Sequence, residues 1–167
     1  MVWFVGAAVT FAASDDDLVP NDADVRTILP ADRHLTVVFL GATEDSTARA
    51  GWEAIPELSF PAEARALRWE RLGRSALALE LADDGGALAA AAVVAAKAVT
   101  PFVAVSTPTP FRPHVTMARV PRRATPPTAA VLQVWPLPAN PLRIEPLALF
   151  RSAPPSTDRR YEVVDQR

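Results

Sequence analysis

The chain holds two histidines, and each opens the same short pattern inside a run of strand-forming residues. His34-Leu35-Thr36-Val37-Val38-Phe39 and His114-Val115-Thr116-Met117-Ala118-Arg119 both place a threonine two residues after the histidine. Residues i and i+2 of a β-strand share a face. Each copy therefore sets an imidazole beside a hydroxyl and turns its intervening apolar residues toward a core. A lone half-buried histidine is ordinary, and a lone His-x-Thr carries little meaning. A repeat that uses up both histidines is hard to attribute to packing, and it demands a fold in which two strands bring their polar faces together.

Composition sets the frame for such a fold. At 167 residues, half of them apolar, the chain suits one compact domain over 1–167, built of two similar lobes. The lack of cysteine removes disulfides, thiolate zinc sites and cysteine nucleophiles together. A net charge of −2 argues against coating long nucleic acid through an overall field, while leaving room for a local phosphate pocket. Residues 2–13 are apolar but lack the basic flank of a signal peptide, and read better as a first buried strand. The alanine-rich run 87–99 carries Lys97 and falls short of the roughly 20 residues a membrane span needs. A cytoplasmic protein with no membrane association is expected, and no obligate protein partner is evident.

Along the chain, Val2–Phe11 reads as a strand, and Asp15–Pro30 as an acidic, proline-bearing loop with Asp15-Asp16-Asp17 solvated. His34–Leu40 is a strand closed by Gly41, and Asp45 is placed to cap a helix from Ser46 to about Ile55. Leu67–Arg71 and Ala76–Leu81 form a hairpin across Leu72–Ser75. Asp83-Asp84-Gly85-Gly86 turns into a helix over Ala87–Val99. Prolines extend Thr107–Pro113 and deliver the chain into a strand over Val115–Val120. A short helix within Pro126–Trp135 and closing strands at Leu142–Phe150 and Arg160–Val164 complete the order. The sum is an α+β fold, bilobal and pseudo-twofold, with antiparallel sheets, helices outside, and one His-x-Thr strand per lobe lining a central cleft.

Two histidines across a cleft have a natural use. One neutral imidazole takes a proton from a nucleophile while a protonated one gives a proton to the leaving group. The adjacent threonines suit non-bridging phosphate oxygens, and a guanidinium suits the charge that builds on them. Arg119 stands three residues after Thr116, so strict alternation puts it on the opposite face unless a bulge or the strand end brings it round. Metal binding is the weaker reading, because two imidazoles with no adjacent carboxylate leave a zinc ion short of ligands. Phe111 and Phe39 are candidates for base stacking, with a core role the competing reading for each. Arg112, Arg122, Arg123 and Arg151 are candidates to line an RNA path, though scattered surface arginines are ordinary. Trp52, Trp69 and Trp135 read as packing residues.

With HLTVVFLG at 34–41 and PFRPHVTMAR at 110–119, the chain resembles the 2H phosphoesterases, and among them the RNA 2′,3′-cyclic phosphodiesterases also called 2′-5′ RNA ligases. The ending LALFRSAPPSTDRRYEVV at 147–164, with Tyr161, is similar to that family's closing hairpin. The resemblance implies metal-independent, cofactor-free opening of a 2′,3′-cyclic phosphate at an RNA end to a 2′-phosphate, with reversible 2′-5′ ligation as the same cyclic chemistry with a 5′-hydroxyl in place of water. By position it makes His34 and His114 the general acid and base, Thr36 and Thr116 the phosphate holders, and Arg119 the arginine closing the second motif. In the family's water-attack scheme His114 activates water and His34 protonates the departing 3′-oxygen, although symmetry makes either order chemically sensible. The alternatives are a 2H enzyme for another small cyclic phosphate, such as a nucleotide or ADP-ribose derivative, and a non-catalytic RNA-end binder. Where the family places a substantial helix after its first strand, this chain has its acid- and proline-rich stretch.

Overall fold

The structure, a computed structural model, describes residues 1–105, 110–155 and 157–167. Its strands are β1 (Val2–Thr10), β2 (Arg26–Thr27), β3 (His34–Ala42), β4 (Glu63–Ala64), β5 (Ala66–Leu72), β6 (Ala76–Leu81), β7 (His114–Arg119), β8 (Leu142–Ser152) and β9 (Tyr161–Gln166). The helices are α1 (Asp45–Ala54), α2 (Ala87–Val99) and α3 (Ala129–Leu132). The strands form one open antiparallel sheet in the order β4-β8-β1-β3-β7-β6-β5, with β9 added to β8 and β2 added to β7. The fold is α+β, as the element order predicts.

The sheet is nearly cut in two at its centre. Strands β3 and β7 share a single register pair, Leu35 with Val115, the middle residues of the two His-x-Thr motifs. Beyond it β7 turns to β2, pairing Arg119 with Arg26 and Ala118 with Thr27. The lobes expected from the repeat are thus two half-sheets joined at one point. Because the pairing is antiparallel, His34 lies opposite Thr116 and Thr36 opposite His114, a twofold relation about the joint.

Each motif strand then carries a bulge at the same place. Against β1, Thr36 pairs with Gly6 and Val38 with Val5, leaving Val37 as the extra residue. Against β6, Thr116 pairs with Ala78 and Ala118 with Leu77, leaving Met117 as the extra residue. A bulge shifts the phase of alternation by one. Consecutive residues, Val37-Val38 and Met117-Ala118, accordingly turn into the core, and Phe39 and Arg119 swing onto the face of the histidines.

Two main apolar clusters hold the halves. Trp3, Val5 and Leu149 of one half-sheet pack with Trp52 of α1 and Ala92, Ala95 and Val99 of α2. The other cluster packs Leu77, Leu79 and Met117 with Leu18, Val19 and Trp135 from the connecting segments. Trp52, Trp69 and Trp135 are all buried, and the last two meet edge to face at 5.1 Å.

Local differences from the sequence reading have physical causes. Asp15 is not solvated: its carboxylate accepts the backbone N–H groups of Ala139 and Asn140 and the Asn140 side-chain amide, at 3.0–3.2 Å. Those bonds, the side-chain one foremost, hold its pKa below the usual carboxylate value. Asp16 anchors the buried Arg33 at 2.9 Å, so of the acidic triplet only Asp17 lacks such a tie among the described residues. Helix α1 begins at Asp45 rather than after it, with Glu44 as N-cap and Asp45 paired to Arg49 at 2.7 Å. At α2 the Asp83 carboxylate accepts from Leu88 and Ala89 N–H at 3.0 and 2.9 Å, while Gly86 takes the left-handed turn at φ +68°. The extended segment expected over 107–113 lies partly outside the described residues.

Candidate active site

The joint between the half-sheets opens a cleft lined by His34, Thr36, Phe39, His114, Thr116 and Arg119, with Phe4, Ile28, Asp32, Arg160 and Tyr161 completing its wall. Backbone geometry explains the first six. The motif strands face one another at one pair, their i and i+2 side chains point away from the core, and the two bulges add Phe39 and Arg119 to that face.

Both imidazoles are oriented in the same way. His34 Nδ1 donates to the Asp32 carbonyl at 2.8 Å, and His114 Nδ1 donates to the Arg112 carbonyl at 2.8 Å, each two residues upstream. A carbonyl only accepts, so Nδ1 must carry the proton. Nε2 of each ring is left for the cleft, able to accept a proton when the ring is neutral and to donate one when it is charged.

The two rings differ in surroundings. His34 stacks on Phe4 at 4.5 Å between ring centres and meets Tyr161 edge-on at 4.9 Å, with Phe150 at 5.8 Å. Burial among these rings pushes its pKa below the usual histidine value. The bond to Asp32 opposes that shift, and the charges of His114 and Arg119 add to it.

Arg119 has no carboxylate partner among the described residues, and its buried Nε is unpartnered there as well. Its charge is uncommitted. Phe39 is 51% exposed, at the cleft mouth rather than in the core. Phe111 is partly buried against both apolar clusters and is absent from the cleft wall. Of the other arginines considered from sequence, Arg112 is held by Glu70 and Glu80, and Arg151 by Glu162.

Sequence reasoning missed Asp32 and the arginines after it in space. Asp32 is buried, and its carboxylate accepts from Arg159 Nε at 3.0 Å and from the Arg160 backbone N–H at 3.1 Å. One residue thus orients His34 through its carbonyl and ties the segment before β9 to the cleft through its side chain. Its position two residues before His34, matching Arg112 before His114, was the signal available.

No group of three or more His, Cys, Asp or Glu side chains lies within metal-binding reach among the described residues. None of their helices is long and apolar enough to cross a membrane.

No family model matches the chain, and no curated protein matches it in sequence. Solved structures do match in shape. TT0787 of Thermus thermophilus superposes with a TM-score of 0.67 at 21% identity, over 99% of this chain and 96% of that one. A structure described as a phosphoesterase gives 0.71 at 16% identity, over 99% and 96%. E. coli LigT complexed with 3′-AMP gives 0.72 at 16% identity, over 100% and 98%. The chain has the LigT-type fold along its whole length.

Proposed function

We propose that this chain is an RNA 2′,3′-cyclic phosphodiesterase that acts in the cytoplasm without a metal or cofactor. The observation that carries the reading is the symmetric pair of imidazoles, each with Nδ1 donated to a backbone carbonyl and Nε2 left for one shared cleft. Binding alone has no need of two such groups. The LigT fold agrees with a phosphoesterase, and LigT structures hold 3′-AMP and phosphate. A nucleotide phosphate is therefore the natural occupant here too.

In this scheme the cyclic phosphate sits over the joint, its non-bridging oxygens held by the Thr36 and Thr116 hydroxyls and by Arg119. One imidazole removes a proton from water as the water oxygen bonds to phosphorus. The bond from phosphorus to the 3′-oxygen breaks, and the other imidazole protonates that oxygen. The product is a 2′-phosphate beside a free 3′-hydroxyl. A 5′-hydroxyl in place of water attacks phosphorus in the same way, and as the 3′-oxygen leaves it joins two RNA ends through a 2′-5′ phosphodiester. Burial favours the neutral form of His34, so if His34 is the acid, the bound anion must raise its pKa first. Phe39 at the mouth offers a face for the terminal base.

The test is an RNA oligonucleotide ending in a 2′,3′-cyclic phosphate, incubated with EDTA, with the product phosphate located. Wild type makes a 2′-phosphate, and His34→Ala and His114→Ala each lose about 10²–10⁴-fold in rate. The wild-type kcat/KM rises and falls with pH through two apparent pKa values that belong to the pair. Full activity in His114→Ala overturns the site. Turnover of only a small cyclic nucleotide moves the substrate to that class, and binding without turnover makes the chain an RNA-end binder.

A further inference from the structure

Beside the cleft runs a second groove lined by Arg26, Ser75, Arg119, Val120, Arg122 and Arg160. Arg119 and Arg160 line both, so the two spaces share a wall. Strand pairing builds this groove: β2 sits against β7 with Arg26 opposite Arg119, and the turn after β7 carries Arg122. Arg160 arrives from the other end of the chain, its backbone held by Asp32.

The arginines here differ from most of those elsewhere. Eight of the others, Arg33 and Arg112 among them, pair with carboxylates. Arg26, Arg119, Arg122 and Arg160 have no carboxylate within 4.0 Å among the described residues, and all four meet in one groove. In a chain of net charge −2 this is a local concentration of unneutralised positive charge. Like charges gathered without partners repel one another, and an anion is what relieves them.

We infer that this groove is a second phosphate subsite, which takes the phosphodiester on the 5′ side of the terminal nucleotide while its cyclic phosphate occupies the cleft. The inference rests on the proposed function for which phosphate lies where. An RNA strand carries its next phosphate one nucleotide from the reacting one, and the shared wall of Arg119 and Arg160 sets the groove directly beside the cleft. The groove then makes the chain an enzyme of oligonucleotide ends rather than of free cyclic nucleotides.

Two measurements test this. In the first, wild type and Arg26→Gln/Arg122→Gln are assayed on a nucleoside 2′,3′-cyclic phosphate and on a dinucleotide ending in the same group. Wild type prefers the dinucleotide by roughly 10–150-fold in kcat/KM, the range for charge-assisted hydrogen bonds. The double variant loses that preference, and Arg26→Lys/Arg122→Lys restores part of it. A preference unchanged in the glutamine variant, or absent in wild type, overturns the subsite. In the second, binding of an uncleavable dinucleotide 3′-phosphate is followed against salt. The glutamine variant shows a slope of log K on log salt smaller by about 0.7, the loss of one single-strand phosphate contact. Arg143→Gln, away from the groove, leaves the slope as in wild type. Equal slopes in wild type and the double glutamine variant overturn the subsite even if neither cyclic substrate is opened. That last failure alone counts against the proposed chemistry.

Discussion

His34 sits in an aromatic box that is better suited to a neutral ring than to a charged one. Its pKa is lowered on folding, chiefly by burial, so the unfolded chain binds the proton more readily. The stability tied to this ring is present above the unfolded value of about 6.5. It is lost as pH falls from there through the lower folded pKa. Denaturant unfolding of wild type and His34→Gln between pH 5 and 8 reads this as a stability difference that shifts against wild type on the acid side. A difference that stays constant with pH removes burial as the controlling influence. At the same scale, Phe39 and Phe111 separate cleanly. Phe39→Ala weakens RNA-end binding by about 5–150-fold, the value of one base–aromatic stack, with little change in Tm. Phe111→Ala lowers Tm with little change in binding, because that ring is packed against the clusters. Equal binding by wild type and Phe39→Ala takes the stacking role away.

At the scale of the element, the two bulges decide what the motif strands present to the cleft. A strand with unbroken alternation supplies the histidine and threonine to the cleft, but sends the residue three places after the threonine into the core. The extra residues Val37 and Met117 reverse that for Phe39 and Arg119. The bulge on β3 also brings β1 very close. A Cβ added at Gly6 lies 2.3 Å from the Leu35 carbonyl oxygen, a backbone atom that has no rotamer to escape into. Gly6→Ala therefore pushes β1 off β3 beside Thr36, costing about 1–3 kcal/mol. Activity falls with it, because Leu35 carries the joint between the half-sheets. Gly85→Ala, where nothing lies within 4 Å of the added Cβ, is the comparison in thermal unfolding and in kcat. Equal Tm for the two variants contradicts the close approach.

The whole molecule closes its cleft with pieces from distant parts of the chain. Asp32 precedes the first motif, and Arg159 and Arg160 lie just before the last strand, yet the buried Asp32 carboxylate binds both. Its side chain is fully buried while Arg159 is 48% exposed, so the pair is screened only from one side. Asp32→Asn and Arg159→Ala each destabilise the fold, and the double variant is less harmful than their sum by about 0.5–3 kcal/mol, the coupling expected of residues in one network. Strict additivity in urea unfolding means the two do not act together. The same tie holds Arg160 and Tyr161 in the cleft wall with His34, so Asp32→Asn also lowers kcat/KM.

Much of this was present in the order of residues. The two His-x-Thr strands, the hairpin of β5 and β6, and helix α2 follow from period-2 and alanine-rich patterns, which are local properties of the chain. So does the pairing of imidazole with hydroxyl, because i and i+2 share a face in any strand. The face of Arg119 did not follow, since a bulge is a mismatch in count between two strands and exists only once β6 lies beside β7. Nor did the burial of Asp15, which waits for Asn140 to arrive from the far end of the sequence. Which arginines remain unneutralised was likewise decided in space: Arg112 and Arg122 are alike as sequence, but the fold gives the first two glutamates and leaves the second beside a groove. Local periodicity determined what each strand presents, and long-range pairing determined what it presents it to.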